Sequence, residues 1–274
     1  MLAEKIRPLR TAITGNLNGV ASGADTNLAS VNIDNVPPGG LGAYVNVDVE
    51  TNTFTMAASW EVSRNGSTFY RVSSSPQNAA NVVLGTGTAG ADAAITKFVA
   101  APTCVCAWKF ARMVITAGGT TGASADTYSV QYKVAEGPYS GVIKNDGAAT
   151  GTFNGSAAGT QKAGNKLSLK PVVRGSLGAL VTVLAETNTL TIEAQWQVSD
   201  DASTWYDIVE PQNPANVVLA TGTAGADSAV TRVVPAPQAV HDWKYARCTV
   251  INRVTTGGAS DTYSITHYWL SEGL

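Results

Sequence analysis

The stretch TFTMAASWEV, Thr53 to Val62, sets Phe54, Met56, Ala58, Trp60 and Val62 against Thr53, Thr55, Ala57, Ser59 and Glu61. Successive side chains of a strand point to opposite faces, so this alternation predicts a strand with one face in a core. The pattern returns in TLTIEAQWQV, Thr189 to Val198, where Leu190, Ile192, Ala194, Trp196 and Val198 form the apolar set. Trp60 and Trp196 are in phase with the core residues of their strands, which predicts packing rather than display. SRNGS, Ser63 to Ser67, then reads as a hairpin turn, because Asn-Gly tolerates the positive φ that such turns need. The second copy has Asp200-Asp201-Ala202 there. Positive φ strains Ala but not Gly, so the second turn is expected to differ.

Outward from these strands the chain duplicates itself. LGAYVNVDVETNTFTMAASWEVSRNGSTFY, starting at Leu41, aligns without a gap to LGALVTVLAETNTLTIEAQWQVSDDASTWY, starting at Leu177. PQNAANVVLGTGTAGAD from Pro76 and PQNPANVVLATGTAGAD from Pro211 differ at two positions. The offset falls from 136 to 135 between these blocks, which places a lost residue in the Val209-Glu210 loop. WKFAR at Trp108 to Arg112 matches WKYAR at Trp243 to Arg247, and the Asp-Thr-Tyr-Ser run from Asp126 recurs from Asp261. A weaker match joins TGNLNG at Thr14 to TGTFNG at Thr150. Each copy is about 125 residues, a whole domain rather than a short solenoid repeat. We expect an N-terminal arm at 1–13, a first domain at 14–137, a linker at 138–146 and a second domain at 147–274.

Further strands are expected around Val45 to Val49, Phe69 to Val72, Val82 to Leu84, Ala94 to Val99, Trp108 to Thr116 and Thr127 to Val134. Asn27 to Ile33 is a weaker candidate. No stretch carries a 3.6-residue period. Some eight short strands per copy, with turn signals between them, imply an all-β chain of two tandem, homologous β-sandwich domains. A jelly-roll is preferred over an immunoglobulin-like order.

Composition narrows the function classes. Of 274 residues, 44% are apolar and only 14% charged, against a usual quarter for charge. Low charge suits a surface that lies against other protein. The net charge of −2 removes nucleic acid from the expected partners. Lys5, Arg7 and Arg10 form the one basic cluster, read as a solvated arm that orders on binding. No long apolar run marks a secretory signal or a membrane span, so no membrane partner is expected. Three cysteines, Cys104, Cys106 and Cys248, argue against a disulfide framework and for synthesis in a reducing cytoplasm.

The chemistry-bearing residues do not assemble into a catalytic set. The duplicated Thr-Gly-Thr-Ala-Gly-Ala-Asp segments at 86–92 and 221–227 lack the Lys-Ser/Thr of a phosphate loop and read as strand connections. His241 aligns with Cys106 and His267 with Tyr132, so neither histidine is shared; both are read as structural. Cys104-Val105-Cys106 has one residue too few for Cys-x-x-Cys chemistry. The acids in register, Glu50/Glu186, Asp92/Asp227 and Asp126/Asp261, are scattered and read as turn caps or partners of Arg112/Arg247. Asp200-Asp201 is a calcium candidate in one copy only. Trp269, opposite Val134 of the first copy, is a candidate exposed aromatic. No catalytic residue, metal ligand or cofactor is expected.

The motif Trp-x-Val-Ser-x-(Asn/Asp)-(Gly/Ala)-Ser-Thr-(Phe/Trp)-Tyr, at 60–70 and 196–206, resembles segments of β-sandwich virion proteins of tailed bacteriophages, capsid decoration (cement) proteins among them. The Tyr/Phe-Ala-Arg strands at 110–112 and 245–247 fit the same resemblance. It implies a non-enzymatic protein on the capsid surface of a virion, made in the host cytoplasm. Its partners would be the major capsid protein and further copies of itself, as a homotrimer. One domain would face the capsid and the other its neighbours or solvent. Two alternatives stand beside it: a double jelly-roll major capsid protein, and a glycan-binding module or tail adhesin whose platform would be Trp269.

Overall fold

The computed structural model describes residues 5–8, 12–16, 20–34, 36–49, 55–72, 82–86, 95–117, 127–136, 142–153, 155–185, 190–208, 217–222, 230–253 and 262–271. Strands make up nearly all of the regular structure. The first eleven are β1 (Lys5–Pro8), β2 (Ile13–Asn16), β3 (Asp25–Asn27), β4 (Val31–Asn32), β5 (Leu41–Val49), β6 (Thr55–Ser63), β7 (Tyr70–Val72), β8 (Val82–Thr86), β9 (Ile95–Ala100), β10 (Phe110–Ala117) and β11 (Thr127–Glu136). The others are β12 (Val142–Asn145), β13 (Ala149–Thr152), β14 (Gln161–Ala163), β15 (Leu167–Ser168), β16 (Gly178–Ala185), β17 (Leu190–Ser199), β18 (Tyr206–Asp207), β19 (Val217–Gly222), β20 (Val230–Pro235), β21 (Tyr245–Asn252) and β22 (Thr262–Ser271). The chain groups into two compact units, Met1–Phe69 with Asn78–Tyr139, and Tyr70–Gln77 with Ser140–Leu274.

Unit 1 is a two-layered antiparallel sandwich. In one layer β1 and β2 pair with successive parts of β11, which pairs with β5, which pairs with β9. In the other, β3 and β4 pair with β10, then β6, then β8. Taking each broken pair as one strand, the chain order across the layers is 1-8-3-6 and 2-7-4-5, the order of a jelly-roll. Unit 2 repeats it: β12 and β13, β22, β16, β20 in one layer, and β14 and β15, β21, β17, β19 in the other. Unit 2 also holds β7, parallel to β20 with Arg71 opposite Arg232 and Val72 opposite Val233. β18, the counterpart of β7 in the second copy, pairs with β17.

The phase read from the sequence is the phase of the core. Met56, Ala58, Trp60 and Val62 are fully buried, as are Ile192, Ala194, Trp196 and Val198. Each large side chain so placed contributes about 1.5–3 kcal/mol relative to exposure. Two duplicated motifs meet in space: Gly15 lies opposite Tyr128 and Gly151 opposite Tyr263. A Cβ at either glycine would overlap the tyrosine ring, so the Thr-Gly and Asp-Thr-Tyr-Ser signatures are two halves of one contact.

Three expectations are revised. β1 occupies the stretch read as an arm, where it pairs with Lys133 to Glu136, and β12 occupies the stretch read as a linker. Trp108 and Trp243 end the 3₁₀ turns Thr103–Ala107 and Gln238–Asp242 instead of opening the strands that follow. The two hairpin turns do not differ. Ala202 adopts φ +60° where Gly66 has +75°. Hydrogen bonds impose the shape: Ser63 Oγ accepts from the amides of Asn65 and Gly66, and Asn65 Oδ1 from those of Ser67 and Thr68. Ser199 Oγ and Asp201 Oδ1 accept the corresponding four amides. These bonds outweigh the cost of left-handed backbone at a residue with a Cβ, of order 1 kcal/mol. Ala202→Gly is therefore expected to stabilise the protein by about 1 kcal/mol, measured by denaturant unfolding.

Candidate functional site

His267 is completely buried, and both ring nitrogens are engaged. Nε2 accepts the backbone N–H of Cys248 at 3.0 Å, so the ring proton sits on Nδ1, which donates to Asp146 Oδ2 at 2.5 Å. Asp146 Oδ1 also accepts the backbone N–H of His267. A histidine and a carboxylate so arranged look like two members of a triad. Here the nitrogen that would act as base is held by a main-chain amide, with the Trp196 ring 5.4 Å away. The first copy solves the same problem with Tyr132, whose Oη accepts the N–H of Met113 at 2.9 Å beside Trp60. The two residues share a role, although their side chains give no sign of it in sequence.

His241 is also bound to the backbone, its Nε2 accepting the N–H of Gly175 at 2.9 Å. Burial, then the nearby Arg174 charge, lower its pKa, partly opposed by Asp242. Arg174 itself pairs with Asp242 at 3.0 Å on an exposed surface. These residues edge an open cleft of about 490 Å³ within unit 2, lined among others by Lys170, Arg174, His241, Trp243, Lys244 and Tyr245. Its rim is cationic and its wall aromatic. The aligned positions of the first copy include Asp34, Pro38 and Cys106, so this charge pattern belongs to one copy.

The arginines of the duplicated Ala-Arg motif lie flat on the hairpin aromatics. The guanidinium carbons of Arg112 and Arg247 sit 4.1 Å from the ring centres of Phe69 and Trp205. Arg112 pairs with Glu61, and Arg247 Nε donates to Gln197 Oε1. Gln197 and Gln195 in turn both donate to Asp207 Oδ1. The expected arginine partners Asp126 and Asp261 lie outside the described residues, as do Glu50, Glu186, Asp92 and Asp227, Arg10, and most of the duplicated Thr-Gly-Thr-Ala-Gly-Ala-Asp segments.

Asp201 serves as a turn cap. Hydrogen bonds from the Thr204 and Ser203 amides, and then from the Ser203 and Ser199 hydroxyls, hold its carboxyl well below the usual range. Cys104, Cys106 and Cys248 are free and buried; burial pushes the Cys104 thiol up to about 12 and raises the other two. Trp269 is only 8% exposed and belongs to the unit 2 core, which corrects the expectation of a surface aromatic. Among the described residues, no group of three or more His, Cys, Asp or Glu side chains is placed to hold a metal ion. No helix among them is long and apolar enough to cross a membrane.

No family model matches the chain, and no curated protein matches it. Among solved structures, the chain is similar to the VP2 subviral particle of infectious bursal disease virus at 9% identity, with a TM-score of 0.32. That match covers 97% of this chain and 40% of the other, so the chain spans about two fifths of the length of that protein. The PBSX exported protein XepA is similar at 11% identity and a TM-score of 0.27, over 97% of this chain and 86% of that one. The tandem CBM22 domains of Paenibacillus barcinonensis Xyn10C are similar at 10% identity and a TM-score of 0.27, over 100% of both chains.

Tyr132→Phe deletes the acceptor of a buried amide and is expected to cost about 1–3 kcal/mol, read from denaturant unfolding. Because the Asp201 pKa is lowered in the folded state, its contribution to stability is present above the ordinary carboxylate range and is lost as pH falls below it. Asn65 fills the same turn without a charge, so Asp201→Asn is expected to fold and to flatten the acid side of the stability-against-pH curve.

Proposed function

We propose that this chain is a non-enzymatic structural protein of a bacteriophage virion, a decoration (cement) protein that binds major capsid subunits and stabilises the head shell. The observation that carries this reading is where the reactive groups go. His267 and the three cysteines are spent inside the fold, His241 at the cleft edge is bonded to the Gly175 amide, and two whole jelly-rolls repeat the same amide-capping, turn and arginine contacts. What is duplicated is a scaffold, and the two copies differ in the side chains they present. The low charge and the hairpin resemblance support the same class. The mechanism is binding alone. An interface of ordinary size, formed with the assembled shell and not with dissociated subunits, shifts the balance toward the shell.

Purified chain added to empty capsids is expected to bind saturably and to raise their unfolding temperature. Absence of binding together with an unchanged unfolding temperature would refute the proposal. The jelly-roll strand order in both units favours one second reading, a double jelly-roll major capsid protein. Closed shells formed by this chain alone would establish that reading in place of the first. The glycan-binding alternative has lost its named platform, since Trp269 is a core residue.

A further inference from the structure

β20 and β9 are the same strand in the two copies, VTRVVP and ITKFVA, and each pairs on one side with its own central strand. They differ on the other side. In unit 2, β7 lies along β20 and Val233 is 1% exposed. In unit 1, β9 ends its sheet among the described residues, and Phe98, the counterpart of Val233, is 53% exposed. Tyr44, opposite Phe98 in the ladder with ring centres 5.2 Å apart, is 43% exposed. An apolar sheet edge of this kind invites another strand.

The strand that fits is also present in the chain. β7 has a counterpart in residues 206–208, Tyr-Asp-Ile for Tyr-Arg-Val. Tyr70 and Arg71 are half-buried, whereas Tyr206 and Asp207 are exposed, Tyr206 at 54%. Among the described residues, β18 has a strand partner on one side, β17. One copy of the chain therefore carries one filled junction, an open edge and, in β18, a strand of the kind that fills it, paired with β17 on one side and with Asp207 already accepting from Gln195 and Gln197. The charges agree. The filled junction sets Arg71 opposite Arg232, a like pair, while the same register on β9 sets Asp207 opposite Lys97, an opposite pair. Opposite charges across a ladder stabilise pairing and like charges weaken it.

We propose that the β9 edge of unit 1 is the docking site for residues 206–208 of a second copy, added in parallel with Asp207 opposite Lys97. The contact is head-to-tail, so repeating it from chain to chain closes a ring where the rotation allows. It goes beyond the homotrimer expected from the sequence by naming the surfaces that join. It needs no capsid, so the two proposals fail separately.

Two measurements on the full chain test the junction. Thr96 and Tyr206 become neighbours when the register is extended by one residue, and both are exposed. A chain carrying Thr96→Cys and Tyr206→Cys is expected to give, on oxidation, a ladder of covalent multimers, with neither single variant giving more than a dimer. Light scattering should show the wild-type oligomer falling to monomer mass in Phe98→Lys and in Tyr206→Lys. Val142→Lys, at an exposed position on β12, should leave the mass unchanged. A wild-type chain that stays monomeric at all concentrations would overturn the proposal. So would an oligomer that keeps its mass in both variants and yields no ladder, whatever the capsid-binding result.

Discussion

An amide that no neighbouring strand reaches organises each sandwich. On the outer edge of β10, β4 pairs with Phe110 and Ala111, and β3 pairs from Val114 onward. The Met113 amide falls in the break, and the Cys248 amide does the same in β21 between β14 and β15. A buried main-chain donor without a partner carries a desolvation cost of roughly 1–3 kcal/mol. Tyr132 and His267 meet it from the opposite layer, each reaching across the core beside a tryptophan. Each bridge ties its two layers together next to the buried Trp60 or Trp196.

The two copies show what a substitution at such a point requires. Tyrosine supplies an acceptor and, apart from one hydroxyl, is apolar. Histidine supplies the acceptor only in one tautomer, and its second nitrogen must then donate. Asp146 takes that proton and also caps the His267 amide. The first copy has no acid anywhere between Lys5 and Ile13, the corresponding stretch. The second copy thus uses a buried pair to do what one hydroxyl does in the first. A His–Asp dyad formed for that reason is scaffolding, which is why it pairs with the backbone on one side and leaves no nitrogen for a substrate.

Strands whose two faces meet different environments were plain from alternation alone, because the period of two follows burial. β1 and β12 were not, since Val142, Lys144 and Asn145 are exposed and carry no apolar phase. The His267–Asp146 pair spans 121 residues, a separation that local patterns do not register. Trp269 was legible in principle. Its counterpart Val134 is 4% exposed, so the column is a core column, and an unmatched residue type says nothing about its exposure. The Ala202 turn was legible too, in the shared Ser-x-(Asn/Asp) signature at 63–65 and 199–201. The expectation weighed the φ preference of one residue above four amide hydrogen bonds. The β7–β20 pairing had no local signal, because parallel partners are set by tertiary placement.

If the role is structural, as proposed, the function of this chain lies in its surfaces. The copies agree in strand order and in the turn bonds and differ at Arg64-Asn65 against Asp200-Asp201, at Asp34 and Pro38 against Lys170 and Arg174 and at Phe98 against Val233. These differences give two similar bodies unlike faces, as a chain needs if it is to touch both its own kind and a shell. Cryo-electron microscopy of the particle that carries this chain is the most direct test. The account predicts paired jelly-roll lobes on the outer surface of the head, seated on major capsid subunits and joined to one another. Density for the chain at the tail alone, or lobes that form the continuous shell itself, would contradict it.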